Sequence, residues 1–350
     1  MRPRDHDLPA PVPLARLVLL GILLLNSPGA AVAGDALAVI SGPTMGTGYT
    51  VKFYAGAASA DAERIQSQID SLLERINDQM STWRAESELS RFNKSASTTW
   101  FSVSPELAYV VESAGVISAM SDGAFDVTVG PVVNLWGFGP DRGAARLPTS
   151  QQIREAMERV DYRRLLVRST PSALRKLRPD IYVDLSAIAK GFAVDEIARL
   201  LDERRIPSYL VEIGGELRAR GVKGDGSSWN VAIERPLSGE RTIQDVVALR
   251  DASIATSGDY RNYVVQDGKR FSHTIDPHTG RPITHGLASV SVIADLAMRA
   301  DALATAIMVM GPEQGYELAM RETLAAQLIV RSEDGLRVMA TPRFERYLQH

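Results

Sequence analysis

An acid and a hydroxyl lie four residues apart on an otherwise apolar segment, ADALATA (300–306). Four residues is close to one helical turn, so Asp301 and Thr305 share a helix face. A buried carboxylate is costly without a partner or a cation, and carboxylate and hydroxyl oxygens suit Mg²⁺, which completes its shell with phosphate and water. The pair indicates a magnesium site. The alternative is structural, with Asp301 stabilised in the first helical turn and Thr305 bonded back to the helix.

The segment DLSAIAKG (184–191) also combines charged and small residues. An acid ends a predicted strand and a helix begins, so backbone N–H groups at the helix N-terminus could hold an anion together with Lys190. Alternatively, Asp184 or Ser186 only caps the helix and Lys190 faces solvent.

Three of the five histidines lie in the segment FSHTIDPHTGRPITH (271–285). Their spacing lacks the helical i, i+4 pair or the paired-ligand turn of a zinc site. A histidine that accepts a proton from a hydroxyl fits better. The Asp-Pro and Gly-Arg-Pro steps are strong turn signals, so a plain turn is a further interpretation. The histidines are His273, His278 and His285.

Polar and aromatic side chains crowd together in DGAFDVTVGPVVNLWGFG (122–139). We expect its glycines and Pro131 to break any regular element. Flat rings beside small residues could form a slot for a planar ligand, although a tightly packed loop explains the composition as well. Taken together, the four segments suggest a ring-bearing ligand with a diphosphate and Mg²⁺.

The elements that position these segments alternate irregularly between helix and strand. Helical periodicity, a Ser-Pro-Glu helix start and short strands between turn residues favour an α+β fold, with residues 36–350 as one domain. The predicted helices cover 65–80, 104–120, 188–205, 296–310 and 312–322. The predicted strands cover 49–53, 181–185, 209–213, 229–234, 246–249, 254–257, 263–266, 289–293 and 326–331.

Several functional classes are excluded by composition and motif. The chain has neither a GxxxxGK[ST] nor an HExxH motif, and its glycine spacing at 137–143 does not fit a dinucleotide fingerprint. A net charge of −3 gives no general attraction to nucleic acid. The absence of cysteine excludes disulfides and thiolate metal sites.

The N-terminus resembles a secretory signal peptide. Arginines precede the apolar run 17–25, and Ala31-Val32-Ala33 offers a cleavage site of small residues. The run is too short to span a bilayer, which argues against an uncleaved anchor. We expect residues 1–33 to direct export to the periplasm, where the protein could associate with the outer face of the inner membrane. Membrane contact would come only through this segment or through a target protein.

Motifs spread from position 45 to 306, in one order, resemble those of the ApbE family of FAD:protein FMN transferases. The two departures are Ser186, where the family usually has glycine, and Glu212, where it often has asparagine. The motifs are MGT (45–47), MSTW (80–83), SELSRFN (87–93), DGAFDVTVGPVVNLWGFG, DLSAIAKGFAVD (184–195), IGGE (213–216), WNVAIERP (229–236), ATSGDYRNY (255–263), SHTIDPHTGRP (272–282) and ADALATA.

The resemblance implies a role for individual residues. His273 would be the base, with Asp276 of the same motif as a second catalytic candidate. Magnesium would bind the side chains of Asp301 and Thr305 and the backbone carbonyl of Ala187. FAD contacts would fall on Met45, Trp83, Ala124, Phe125, Asp126, Asp184, Lys190 and Ile275.

The resemblance also implies the reaction and its partners. FMN from FAD would be attached through a phosphoester to a threonine or serine of a partner, usually a flavin-carrying subunit of a membrane redox complex, with release of AMP. One alternative is a magnesium-dependent FAD pyrophosphatase. It is disfavoured because hydrolytic members tend to carry a small polar residue at the position of Trp83. Another alternative is an exported FAD-binding protein without enzymatic activity.

Overall fold

We describe the protein from a computed structural model that covers residues 36–54, 61–140, 147–237, 242–259, 263–266 and 269–349, without the side chains of 263–266 and 269–270. The predicted signal segment, residues 1–33, lies outside these ranges. The described residues belong to one compact unit. Its helices are α1 (Ala62–Met80), α2 (Glu88–Lys94), α3 (Pro105–Met120), α4 (Gly130–Leu135), α5 (Ser150–Met157), α6 (Ala189–Glu203), α7 (Ala297–Met310), α8 (Pro312–Arg321) and α9 (Pro342–Glu345).

Eight antiparallel strands of the described residues form the central sheet, in the order β1-β2-β6-β7-β10-β15-β16-β17. These strands are β1 (Leu37–Thr44), β2 (Thr47–Tyr54), β6 (Ser208–Ile213), β7 (Glu216–Arg220), β10 (Ala252–Gly258), β15 (Leu287–Ala294), β16 (Ala325–Ser332) and β17 (Gly335–Ala340). The smaller sheets use β3 (Phe101–Ser102), β4 (Leu165–Ser169), β5 (Ser172–Lys176), β8 (Trp229–Glu234), β9 (Ile243–Leu249), β11 (Tyr263–Gln266), β12 (Lys269–Ser272), β13 (Ile275–Asp276) and β14 (Arg281–Pro282).

Both faces of the central sheet are covered. Neighbouring residues of one strand point to opposite faces, and Ile254 and Ala255 of β10 belong to two different hydrophobic clusters. The larger cluster packs α1, α3, α6 and α7 on one face, and the smaller one packs β8, β9 and α9 on the other. The predicted α+β fold with largely antiparallel strands is confirmed.

The helix patterns of the sequence explain the main packing. Residues of α1 that recur every three or four positions, from Ile65 to Met80, are buried against the sheet. Ser104 caps α3 by accepting a hydrogen bond from the N–H of Leu107 at 3.3 Å. Helix α7 is apolar on nearly all sides and mostly buried, against β10, β15, α6 and α8. No helix in the described ranges has the length and apolar character needed to cross a membrane.

Two predictions of local structure are wrong. Residues 181–185 form no strand, because the backbone of Val183 pairs with a side chain: Asn93 donates to its carbonyl and accepts from its N–H, both at 2.8 Å. The segment 122–139 is not wholly irregular, since Pro131 occupies the first turn of α4, where its missing N–H costs nothing.

Candidate active site

Helices α6 and α7 approach each other closely at one glycine. A Cβ atom on Gly191 would lie 2.4 Å from the carbonyl oxygen of Ala297, so a larger residue does not fit at this crossing. The N–H of Gly191 donates to Oδ2 of Asp301 on α7 at 3.1 Å. In return, the carboxylate of Asp195 on α6 accepts from the N–H groups of Ala297 and Met298 at 3.0 and 2.9 Å. Each helix start is therefore stabilised by an acid from the other helix.

Three ionisable side chains cluster beside this crossing. Nζ of Lys190 lies 2.7 Å from Oε1 of Glu216 and 3.9 Å from Oδ1 of Asp301. Each carboxylate side chain is only 5% exposed. When both carboxylates are ionised, two negative charges and one positive charge leave one negative charge in excess, which favours an additional cation.

Burial makes both acids of this cluster hard to ionise. Burial, followed by the charge of Asp301, raises the pKa of Glu216 to about 8. Burial also raises the pKa of Asp301, against the opposing effects of Lys190 and the N–H of Gly191. For Lys190, burial lowers the pKa, but Asp301 and Glu216 outweigh it, so that the pKa lies above its ordinary value. A further positive charge would stabilise the ionised carboxylates.

Thr305 lies one turn after Asp301 and reaches the neighbouring strand. Its Oγ1 is 3.1 Å from Oγ of Ser257 on β10, and either hydroxyl can donate. The bond that the structure shows is therefore to the sheet, rather than back to the helix as the structural alternative proposed. Asp301 is the fifth residue of α7, so it also lies beyond the first turn, where that alternative placed it.

The oxygen donors near Asp301 suit Mg²⁺ better than they suit a metal ion that is bound only by protein side chains. Ala187 precedes Ile188, the residue that caps α6, so its carbonyl lies outside the helical hydrogen-bond ladder. Among the described residues, no group of three or more His, Asp or Glu side chains is placed to hold a metal. One carboxylate, one hydroxyl and one carbonyl suit an ion that keeps several positions for phosphate and water.

At the start of α6, backbone N–H groups that the sequence suggests for an anion already have partners within the protein. The N–H of Ala189 donates to the carbonyl of Leu185 at 2.8 Å, and that of Gly191 to Asp301. Of the predicted cradle, the Lys190 ammonium is the part that could face a ligand. It is half-buried in an ion pair rather than solvated.

Asp184 organises the loop before α6. Its Oδ1 accepts from the N–H and the hydroxyl of Ser186, at 2.9 and 2.5 Å. The N–H of Asp184 donates to the carbonyl of Val127 at 2.7 Å, which ties this loop to segment 122–139. Ser186 has no positive φ, so the glycine usual in the ApbE family is not required here.

Asp126 is a buried acid with protein partners for both oxygens. Oδ1 accepts from the N–H and the hydroxyl of Thr128, and Oδ2 from the N–H of Tyr162 at 2.9 Å. Burial raises its pKa. Ala124 and Phe125 are also buried, and the Phe125 ring lies in the main core. The ring therefore does not line an open slot, and a ligand contact at Phe125 would come from its backbone.

The segment 271–285 forms a turn that packs on segment 122–139. Asp276 accepts from the N–H of His278 and the hydroxyl of Thr279, both at 2.9 Å, so its carboxylate stabilises the turn. Nε1 of Trp136 donates to the carbonyl of Gly280 at 2.9 Å. Ile275 is buried in the small cluster that includes residues of α4 and α5.

The three histidines of this segment have different neighbours. His273 meets the ring of Phe138 edge-on, with 6.4 Å between ring centroids. Nε2 of His278 is 2.9 Å from the carbonyl oxygen of Asp122. Nδ1 of His285 accepts from the N–H of Leu287 at 3.3 Å. These separate environments give no support to the zinc alternative.

Two hairpin turns lie at one end of the central sheet, and the second of them, Gly214-Gly215, borders the charged cluster. Met45 and Gly46 form the two-residue turn between β1 and β2, both with positive φ (48° and 73°). A positive φ is unusual for methionine and marks a locally strained position. The second turn, Gly214-Gly215, contacts the beginning of β2, since the N–H of Gly214 donates to the carbonyl of Gly48 at 3.3 Å.

Trp83 is 60% exposed on the segment between α1 and α2. The next residue, Arg84, anchors this segment to α1. Its guanidinium contacts the carboxylates of Glu74 (2.6 and 2.9 Å) and Asp78 (2.6 Å). The indole is therefore held on the surface, where a planar ligand could stack on it.

Most of the predicted site residues fall into two connected groups. Lys190, Asp301 and Thr305 lie at the α6/α7 crossing, with Ala187 just before the start of α6, while segments 122–139 and 271–285 pack together around Trp136. The loop at Asp184 joins the two groups. Sequence reasoning missed the contribution of Glu216 and Ser257, although each lies in a motif of the family, IGGE and ATSGDYRNY. Glu212 replaces the usual asparagine and accepts from the N–H of Gly215 at 2.9 Å.

Comparison with known proteins identifies the family of this chain. The sequence model of the ApbE family matches residues 45–328. A relative from Vibrio cholerae, called FAD:protein FMN transferase, is 45% identical over 309 residues, which cover 88% of this chain and 92% of the relative. A relative of the same name from Escherichia coli K12 is 43% identical over 316 residues, or 89% of each chain.

Solved structures show the same likeness. The flavin transferase ApbE from Vibrio cholerae has a TM-score of 0.84 and 43% identity, with 89% of this chain and 99% of that chain covered. The apo form of the flavinyl transferase ApbE from Pseudomonas stutzeri has a TM-score of 0.82 and 39% identity, with 89% and 97% covered. The fold and the motifs thus define a transferase. This chain belongs to the ApbE family, and the recognition made from its motifs is confirmed.

Proposed function

We propose that this protein is a magnesium-dependent FAD:protein FMN transferase. It would move the FMN part of FAD onto a threonine or serine hydroxyl of a partner protein and release AMP. The observation that carries the proposal is the buried cluster of Lys190, Glu216 and Asp301. With both carboxylates ionised, this cluster has one negative charge in excess, which suits a divalent cation in a chain that belongs to the ApbE family.

The chain's own residues would divide the chemistry between them. Asp301, Thr305 and the carbonyl of Ala187 would hold Mg²⁺, which when bound offsets charge on the diphosphate and on the departing AMP. Lys190 would place its ammonium beside the same diphosphate. His273 would take the proton of the acceptor hydroxyl. The acceptor oxygen then bonds to the FMN phosphorus while the bond from that phosphorus to the AMP oxygen breaks, which leaves a phosphoester.

FAD contacts are proposed at the positions implied by the family resemblance. In support, most of these positions lie in three segments that contact one another: Asp184 links the loop before α6 to segment 122–139, and Trp136 links that segment to 271–285. Asp276, which orients the turn that follows His273, would position the base rather than transfer protons itself. The partners would be flavin-acceptor subunits of membrane redox complexes. The charged start and apolar run of residues 1–33 support export to the periplasm, which cell fractionation of the tagged full chain would test.

Two assays test the reaction. The protein is co-expressed with candidate flavin-acceptor subunits, and covalent flavin is detected by in-gel fluorescence and by the mass of the acceptor. Labelling that disappears when the acceptor hydroxyl is removed supports transfer. The purified protein is then incubated with FAD and Mg²⁺ alone. Rapid release of AMP without an acceptor would show hydrolysis instead, and would overturn the proposal.

A further inference from the structure

Glu216 is a buried acid with an oxygen that has no partner. It begins β7, directly after the Gly214-Gly215 turn, and its side chain is 5% exposed. Oε1 accepts from Nζ of Lys190 at 2.7 Å. Oε2 is fully buried and has no hydrogen-bond partner among the described residues. An uncompensated buried carboxylate oxygen is costly, so the position of this side chain calls for an explanation.

The neighbouring turn does not provide one. The N–H of Gly215 is already bonded to the carboxylate of Glu212, and Ile213 pairs with Glu216 through the strand register. Neither interaction uses the carboxylate of Glu216.

The distances around Lys190 provide a better explanation. Its ammonium is hydrogen-bonded to Glu216 but lies 3.9 Å from Oδ1 of Asp301, beyond hydrogen-bonding distance. Oδ2 of Asp301 is occupied by the N–H of Gly191. Oδ1 is therefore the oxygen of Asp301 that a cation could use, and Lys190 is the group that would compete for it.

We propose that Glu216 is a positioning residue that holds Lys190 away from Asp301 and so keeps Oδ1 of Asp301 available to a divalent cation. The inference rests on the proposed metal site at Asp301 and Thr305. Without a carboxylate at position 216, the ammonium of Lys190 would lose its hydrogen-bond acceptor. Because a buried cation needs an anionic partner, it would move onto Asp301. The direct ion pair would then exclude the metal.

The test measures binding of Mn²⁺, as a spectroscopic substitute for Mg²⁺, by electron paramagnetic resonance of the free ion with and without FAD. Glu216→Asp keeps the charge but shortens the side chain by one methylene, so that it cannot hold Lys190 in the same place. We expect Mn²⁺ to bind at least tenfold more weakly to this variant than to the wild type. Unchanged affinity would overturn the inference.

A second experiment, in the Lys190→Met background, distinguishes positioning of Lys190 by Glu216 from direct attraction of the cation by the charge of Glu216. Glu216→Gln removes a negative charge, which weakens cation binding in any case. If Glu216 acts through Lys190, the loss should be at least tenfold larger in the wild type than in the Lys190→Met variant, where no competing ammonium exists. Equal losses in both backgrounds would show that Glu216 only adds charge, and would refute the positioning role.

Two controls keep the failure of this inference distinct from failure of the metal site itself. If the wild type does not bind Mn²⁺, or if Asp301→Asn binds it as well as the wild type, the proposed metal site is wrong. If both behave as expected but Glu216→Asp is unaffected, only the positioning role fails. In a crystal structure of Glu216→Gln, Nζ of Lys190 should lie within hydrogen-bonding distance of Asp301.

Discussion

The backbone N–H of Gly191 and the carboxylate of Asp301 are joined by a hydrogen bond of 3.1 Å, and this contact links α6 to α7. It depends on the absence of a side chain at Gly191, because the carbonyl of Ala297 occupies the space where a Cβ atom would lie. A structural contact and the proposed metal ligand thus use the same carboxylate.

Gly191→Ala should force the two helices apart. We expect a loss of about 1–3 kcal/mol in the free energy of unfolding, as for other overpacked cores, together with weaker Mn²⁺ binding. Gly115→Ala on α3 is the matched control, because a Cβ atom there would meet nothing within 4 Å. It should be neutral or stabilise by up to about 1 kcal/mol. Similar urea unfolding curves for the two variants would contradict this account.

Replacement of the proposed metal ligands should abolish transfer. Asp301→Asn keeps the shape of the side chain but removes its charge. We expect the rate of FMN transfer to fall at least 100-fold, which exceeds the typical effect of replacing a residue that only hydrogen-bonds to a metal ligand. Thr305→Val should reduce it less, and Thr305→Ser should restore it. Asp295→Asn, at an exposed acid just before α7, should change the rate by less than twofold. Transfer by Asp301→Asn near the wild-type rate would exclude the magnesium assignment.

His273 and His278 should differ in their kinetic effects. His273→Ala removes the proposed base, so the transfer rate should fall by about 10²–10⁴-fold while FAD still binds. His278→Gln perturbs only the contacts of this side chain with the turn at Asp276 and with the carbonyl of Asp122. It should slow transfer by less than tenfold. Stopped-flow labelling and FAD titration measure the two quantities separately. A larger effect at His278 would transfer the role of base to that residue.

Trp83 should contribute to FAD affinity by stacking. A base stacked on an aromatic ring contributes about 1–3 kcal/mol to binding. Because about 1.4 kcal/mol corresponds to a tenfold change in affinity, Trp83→Ala should weaken FAD binding by roughly 5–150-fold. Trp100, which is also surface-exposed and lies under Arg168, provides the control: Trp100→Ala should bind FAD normally. Equal affinities of the two variants, measured by flavin fluorescence, would remove Trp83 from the site.

Lys176 should make stability depend on pH. It is fully buried, with its ammonium bonded to the carbonyls of Asn93 and Ser95, and burial lowers its pKa from 10.5 to about 8. Between these pH values the unfolded chain holds a proton that the folded chain has lost, so stability rises with pH. Below pH 8 both states are protonated, and the full cost of burying the charge is present.

The measurement compares the wild type with Lys176→Met. The free energy of unfolding of the wild type, relative to the variant, should rise by up to about 3 kcal/mol from pH 8 to pH 10.5. Lys94→Met, at an exposed lysine, should give a curve parallel to that of the wild type. If the free energy of unfolding of Lys176→Met follows the same pH dependence as that of the wild type, the buried ammonium does not titrate in this range.

The sequence predicted the elements whose periodicity is strong and the site residues that lie in family motifs. Helix α1 and strand β2 follow directly from their spacing of apolar residues. The failure at 181–185 has a physical cause: Asn93, which lies on α2, replaces the partner strand, and periodicity cannot show a contact so distant along the chain. Glu216 was missed for a related reason, since its importance comes from Lys190 and Asp301 rather than from its neighbours in the sequence.

The contact between α6 and α7 has a consequence for biosynthesis. The carboxylate that completes the start of α6 is more than one hundred residues further along the chain, so the nascent polypeptide cannot finish this corner until α7 has been made. A shortened product that ends before α7 would keep the segments proposed to contact FAD yet lack the carboxylate that accepts from the N–H of Gly191. The start of α6 in such a fragment should therefore open more readily than in the full chain, because the N–H of Gly191 has lost its acceptor.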